Sequence, residues 1–203
     1  MGRRIHLASI AVLSILLFVI SGCNQFEALK AGLKLGIASG KDRYVNKEQG
    51  ISFKVPKGWL PDPSVVQGSK GENNLAAYKQ NGSGFIVKFG EMPEGANLML
   101  IVQVQSALLE KLGFYVAAQP KEVEINGRKA VEMALVGRCS DLVGNLLGKK
   151  MDIPDDPPYV ALVYQIPDAN KKKVYTLFLS TPQTEYDTTV KPFMEVVNSF
   201  QIS

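Results

Sequence analysis

Lys121-Glu122-Val123-Glu124-Ile125-Asn126-Gly127-Arg128-Lys129-Ala130-Val131-Glu132-Met133-Ala134-Leu135-Val136 reads as a β-hairpin. Two runs of strand-forming residues, Lys121–Ile125 and Lys129–Val136, flank Asn126-Gly127. Asparagine and glycine both tolerate the positive φ of a type I′ turn, whose twist matches that of the strands it joins, so Asn-Gly is the strongest short hairpin signal. The mid-chain is therefore read as antiparallel sheet.

Further strands lie on either side. Gly50-Ile51-Ser52-Phe53-Lys54-Val55-Pro56-Lys57-Gly58-Trp59 alternates Ile51, Phe53 and Val55 with polar neighbours, the pattern of a half-buried strand. Pro56 and Gly58 end it, and Trp59 is expected to fold back as a core plug, where a large ring gains most. Leu75–Lys79 and Phe85–Phe89 form a second hairpin through Asn81-Gly82-Ser83-Gly84. Tyr159–Ile166 is apolar on both alternating sets, as a central strand covered on two faces should be. Asp168-Ala169-Asn170-Lys171 turns it into Val174–Ser180.

Two helices frame this sheet. Asn97 to Leu112 carries an apolar stripe of Leu98, Ile101, Ala107, Leu108 and Leu112, and Gly113 suits its C′ stop. The first half, Met99–Val104, fits a strand as well, which leaves the helix start open. At the chain's end Val190, Phe193, Val197 and Phe200 recur at spacings of three and four. Pro192 is accommodated if Thr189 is the N-cap, because the first turn does not need the missing N–H.

Arg138 to Pro158 breaks the regularity. Ser140 and Asp141 cap a short expected helix bearing Leu142, Val143, Leu146 and Leu147, closed by Gly148. It is too short to be stable alone, so its aliphatic residues must pack on something, either this domain's own core or a partner. Asp152, Asp155 and Asp156 follow among prolines, without the spacing of a calcium loop, and read as solvated.

The N-terminus reads as an export signal. Arg3 and Arg4 precede the uncharged 14-residue run Leu7–Ile20, shorter than the ~20 residues a membrane span needs. Ile20-Ser21-Gly22-Cys23 then resembles a bacterial lipobox, so residues 1–22 are expected to be removed and Cys23 to carry lipid. Residues 23–43 form a tether and residues 44–203 one folded domain. Along the tether Phe26, Leu29, Leu33 and Ile37 fall at helical spacing with Lys30 and Lys34 between them, which suits an interfacial helix. Gly32, Gly36 and Gly40 favour a mobile spacer instead, with a reach of about 25 Å.

Composition narrows the chemistry. The net charge of +4 includes Arg3 and Arg4 of the signal, and the basic run Lys171-Lys172-Lys173 sits in a turn, so nothing points to nucleic acid. The single histidine, His6, leaves with the signal. A histidine base, a Ser-His-Asp or Cys-His relay and His-ligated zinc are thereby excluded from the processed chain. Cys139 is its one free thiol and is expected to be buried, as free cysteines commonly are. No cofactor or metal site is read.

Gly50-Ile51-Ser52-Phe53-Lys54-Val55-Pro56 before Trp59, Asn126-Gly127-Arg128-Lys129-Ala130, and Ser199-Phe200 resemble the PsbP/DcrB-like proteins, a superfamily that also includes a Ran-binding nuclear-transport protein. The likeness spans roughly residues 44–203 and leaves 138–158 unmatched. It implies an α/β fold: an α/β/α sandwich with a central, mainly antiparallel sheet. It also implies accessory, docking or envelope roles, and it brings no catalytic residues.

The leading expectation is a non-enzymatic envelope lipoprotein that reaches the membrane through lipid on Cys23 and docks on a partner protein. In a Gram-negative host, Asn24 after the cysteine points to the outer membrane. Leu142, Val143, Leu146 and Leu147 are the candidate partner-binding residues. The alternatives are a module binding a small ligand or lipid beside the sheet and, behind it, an enzyme using Cys139 or a Ser–Lys pair.

Overall fold

Alternation of side chains along each strand lets one sheet bury two different cores, and this chain uses both faces. The computed structural model describes residues 42–62, 74–92, 94–138, 140–141, 145, 148 and 156–203. Within them run β1 (Arg43–Asn46), β2 (Ile51–Lys54), β3 (Leu60–Pro61), β4 (Asn74–Gln80), β5 (Ser83–Glu91), α1 (Leu98–Lys111), β6 (Tyr115–Ile125), β7 (Arg128–Gly137), β8 (Tyr159–Asp168), β9 (Lys173–Pro182), α2 (Tyr186–Ser199) and β10 (Gln201–Ile202). A seven-stranded sheet has the order β3-β4-β5-β9-β8-β7-β6, and a small sheet has the order β1-β2-β10. Every described pairing is antiparallel. The expected α/β sandwich, with helices on both faces of a mainly antiparallel sheet, is the architecture observed.

The Asn126-Gly127 hairpin forms as its sequence dictates, both residues taking positive φ (50° and 75°). Its strands are longer than the alternating runs suggest, and β6 shifts register against β7 near Ala118 and before Lys121. Asn126 has a second task. Its Nδ2 donates to Asn198 O (2.9 Å) and Phe200 O (2.8 Å), satisfying carbonyls that the end of α2 leaves open. The hairpin tip therefore locks the last helix.

On one face lie α2 and the small sheet. Phe85, Val87, Leu162, Tyr164, Ile166, Tyr175, Leu177 and Leu179 meet Ile51, Phe53, Phe193, Val196, Val197 and Phe200 there. Phe53 is its hub, with Tyr44, Phe85, Tyr78 and Phe200 rings at 4.8, 6.2, 6.3 and 6.4 Å. Trp59 is the expected core plug, buried with its ring 5.0 Å from Phe85. The chain end is pinned beneath: Ser203 N donates to Gly50 O (2.8 Å), Lys171 Nζ to Ser203 O (2.8 Å) and Arg128 to Ile202 O (3.1 Å).

On the opposite face α1 packs Val102 and Leu109 onto Val131, Met133, Leu135, Ala161, Val163 and Phe178. Asn97 caps it through Leu100 N (3.2 Å), which settles the open start in favour of helix. At the other end Gly113 N reaches Glu110 O and Phe114 N reaches Leu109 O, the two bonds of a Schellman stop.

Two expectations for the helices are corrected. Of the stripe expected on α1, Leu98, Leu108 and Leu112 pack against this core while half-buried, but Ala107 is exposed and the fully buried positions are Val102, Gln105, Ser106 and Leu109. The cause is a buried hydrogen bond, Gln165 Nε2 to Gln105 Oε1 at 2.8 Å, which turns a polar residue inward. In α2, Pro192 lies inside the helix and Thr189 is not its N-cap. Thr189 is buried, with its hydroxyl 3.3 Å from that of Thr181 and 3.4 Å from that of Ser83. A helix-interior proline costs about 3 kcal/mol. Here the carbonyl it leaves free belongs to exposed Thr188, and burial of Phe193, Val196 and Val197 offsets the loss.

Candidate docking surfaces

Residues 1–41, with Cys23 and all of the expected tether but Asp42 and Arg43, lie outside the described residues, as do Cys139, Asp152 and Asp155; Arg43 already belongs to β1. Of the short helix expected after Arg138, Leu142, Val143, Leu146 and Leu147 also lie outside. Ser140, Asp141 and Asn145 are helical, and they show where the segment is fastened. Asp156 carboxylate accepts from Ser140 N (3.0 Å), and Arg138 Nη1 donates to Asp156 O (3.2 Å). Asp156 is thus a fastening residue as well as part of an acidic loop.

Asp141 and Asn145 lie over the stop of α1. A Cβ placed on Gly113 (φ +94°) would stand 2.6 Å from Asn145 Nδ2 and 3.3 Å from Asp141 Cβ. A Cβ on Gly137 would sit 2.5 Å from the Phe114 ring, so the corner where α1 enters β6 is closed tightly over β7. The segment from Ser140 is therefore joined to the C-terminal end of α1.

The turned α1 presents apolar side chains outward. Leu100 is 59% and Val104 44% exposed, and Ala107 completes the i, i+4, i+7 row. Leucine and valine one turn apart make a short apolar ridge, flanked by exposed Gln103, Glu110 and Lys111. The expected stripe left out Val102, Gln105 and Leu109, which set the inward side of α1, and so the ridge was not legible from it. The missing signal was that Gln105 had a buried partner.

On the other face, strands β8, β7 and β6 run side by side away from α2. Register places Tyr164, Glu132 and Lys121 in one row across β8, β7 and β6, then Leu162, Ala134 and Ala118, then Val160, Val136 and Tyr115. Lys121 Nζ is 3.1 Å from Glu132 Oε1, and Tyr164 OH donates to Met194 Sδ of α2 at 3.4 Å. Burial, followed by the hydrogen bond and charge of Glu132, pushes the Tyr164 phenol well above its ordinary value. The Tyr186 phenol is raised by burial first, then by Glu132 and Asp187. The two-residue turn already made Lys121 and Glu132 equidistant partners in the sequence. Tyr164 and Tyr186 come from elsewhere in the chain.

Among the described residues no three His, Cys, Asp or Glu side chains are grouped to hold a metal ion, and no helix is long and apolar enough to cross a membrane.

No protein-family model matches the chain, and no curated protein matches it significantly. Solved structures match its fold. The solution structure of cyanobacterial PsbP (CyanoP) from Synechocystis sp. PCC 6803 has a TM-score of 0.53 at 16% identity, covering 85% of this chain and 98% of that one. The crystal structure of the Saccharomyces cerevisiae Ran-binding protein Mog1p has a TM-score of 0.52 at 12% identity, covering 79% and 94%. The resemblance expected from short motifs thus holds at the level of fold, and at these identities it speaks of fold alone.

Proposed function

We propose that this chain is a lipid-anchored accessory protein of the cell envelope, without catalytic activity of its own, whose folded domain docks on a partner protein. The observation that carries the docking reading is the exposed ridge of Leu100 and Val104, which shares α1 with the fastened segment from Ser140. Apolar side chains grouped on an outward helix face mark interaction surfaces more often than singly scattered ones do. In this reading Leu142, Val143, Leu146 and Leu147 are further partner-binding residues, and Cys23 holds the domain at the membrane. Support for the anchor is the signal-like run ending in Ile20-Ser21-Gly22-Cys23.

Each half has its own test. Cys23→Ser abolishes incorporation of labelled fatty acid, and persistence of label removes the anchor. Leu100→Asp with Val104→Asp leaves the melting temperature almost unchanged and abolishes recovery of a partner that co-purifies stoichiometrically with the wild-type protein from its own membrane. Leu142→Asp with Leu146→Asp separates the two uses of the segment: an interface loses the partner and keeps its melting temperature, whereas a core loses many degrees. A folded ridge variant that retains its partner overturns the docking surface.

A further inference from the structure

Charge is divided unevenly along the chain. Residues 24–60 hold seven lysines and arginines against three acidic residues, a net charge of +4, whereas residues 61–203 hold 14 against 16, a net charge of −2. The basic excess therefore belongs to the stretch that leads from Cys23 into the small sheet. Such asymmetry between two parts of one chain governs how the molecule turns towards a charged surface.

Folding brings part of that excess onto one face. Alternation turns Tyr44, Ile51 and Phe53 towards the core and leaves Arg43, Val45, Ser52, Lys54 and Gln201 on the outer side of the small sheet. Register sets Arg43 directly opposite Lys54. Like charges facing each other across a ladder are destabilising, so the fold alone gives no reason for the pair. The Arg43 guanidinium donates only to neutral acceptors, Ser52 Oγ at 2.8 Å and Gln201 Oε1 at 2.6 Å. Among the described residues neither Arg43 nor the exposed Asp42 beside it forms an ion pair. Lys54 meets Glu195 at 3.1 Å, but both side chains are more than half exposed, and such a pair holds weakly. Two cations thus stand side by side with little to neutralise them, next to Val45, which is 49% exposed.

We infer that the outer face of the small sheet rests on the membrane, with Arg43 and Lys54 against the phosphate groups of anionic lipids and Val45 among the headgroups. The position of β1 in the chain selects this occupant. Arg43 lies 20 residues after Cys23, a coil of about 25 Å, so lipid on Cys23 keeps the face within reach of the surface. A short tether raises the effective concentration to the millimolar range, so a weak electrostatic contact is enough to orient the domain. Anionic headgroups attract lysine and arginine within a Debye length, about 8 Å at physiological ionic strength. The inference deepens the lipid-anchored reading and rests on it. Because α1 lies on the opposite side of the large sheet, this orientation turns the ridge of Leu100 and Val104 away from the membrane and towards a protein partner.

The test places the full-length chain, purified from its own membrane, in nanodiscs of phosphatidylcholine with or without phosphatidylglycerol. A trace of lipid with a gadolinium-chelating headgroup broadens the NMR signals of residues near the surface. With phosphatidylglycerol the amide signals of Arg43, Val45 and Lys54 broaden several-fold more than those of Leu100 and Val104. High salt removes the difference, and so does Arg43→Gln with Lys54→Gln, each cation being worth about fivefold in residence at an anionic surface. Melting curves confirm that the double variant is folded; should it not be, Lys54→Gln and the salt and lipid dependence decide. Equal broadening in pure phosphatidylcholine, stronger broadening of α1, or a folded double variant with the wild-type pattern overturns the proposal. A double variant that keeps its orientation but loses a co-purifying protein likewise overturns it, and makes the face a protein contact. Mass spectrometry of Cys23 is read separately. Lipid on Cys23 without phosphatidylglycerol dependence overturns the face and leaves the anchor, whereas Cys23 without lipid overturns the anchor, and the face then stands or falls on the same contrast between the two discs.

Discussion

The two faces of the large sheet are built on different principles. The α2 face is an aromatic network centred on Phe53, tied to the hairpin tip through Asn126 and to the chain end through Lys171 and Arg128. The α1 face is smaller and mostly aliphatic, and among the described residues it carries a buried polar contact, Gln105 to Gln165. Many mutually supporting contacts make the first face the source of stability. The second uses a single hydrogen bond to choose which side of its helix faces inward, and so chooses which residues face outward.

The largest expected effect tests where stability resides. Phe53→Ala removes a fully buried ring and lowers the unfolding free energy by about 3–5 kcal/mol in urea denaturation. Leu109→Ala on the other face, equally buried, costs about 2–5 kcal/mol and falls below Phe53→Ala in the same assay. Equal losses would break the contrast between the faces.

Next comes the polar contact. Gln105→Ala strands Gln165 and costs about 1–3 kcal/mol, the range for an unsatisfied buried amide. Gln105→Leu with Gln165→Leu is nearly neutral by the same principle, since neither partner then needs the other. Gln105→Leu alone destabilises more than the pair, a non-additivity that a double-mutant cycle measures.

A smaller effect isolates the lock on α2. Asn126→Gly keeps the turn but deletes two hydrogen bonds to the helix end, for a loss of about 1–2 kcal/mol. Hydrogen exchange should quicken first in the last turn of α2 while α1 stays protected. Uniform loosening of both helices would mean that the hairpin tip does not act locally.

The smallest effect is confined to alkaline solution. Burial, and then the neighbouring Tyr44, push the Tyr78 phenol up to about 12 in the folded protein, against about 10 when unfolded. Its contribution to stability is full below pH 10 and disappears as pH rises towards 12, because the unfolded chain ionises first. Denaturation midpoints measured from pH 9 to 11.5 should fall, and Tyr78→Phe should fall less steeply. Parallel slopes would exclude Tyr78 as the source.

Much of the architecture was written locally. Asn126-Gly127, the alternation from Ile51 to Val55 and the two-sided apolar run from Tyr159 to Ile166 each specify structure through neighbours a few residues away. Turn dihedrals and side-chain alternation depend on nothing more distant. The export-like N-terminus and the absence of histidine after it are likewise properties of the linear chain. The rotation of α1 was not written there. It depends on Gln165, 60 residues beyond Gln105, and no periodicity in either segment announces that partner. Thr189 is held inside by the hydroxyls of Ser83 and Thr181, and Asn126 meets the end of α2 from 72 residues away. Lys121 and Glu132 were paired by a local turn, but only packing brought the Tyr164 phenol of β8 to Met194 of α2. Short-range geometry therefore chose the elements, while desolvated polar groups, which need a partner wherever in the chain it lies, chose how those elements turn and which surfaces they leave open.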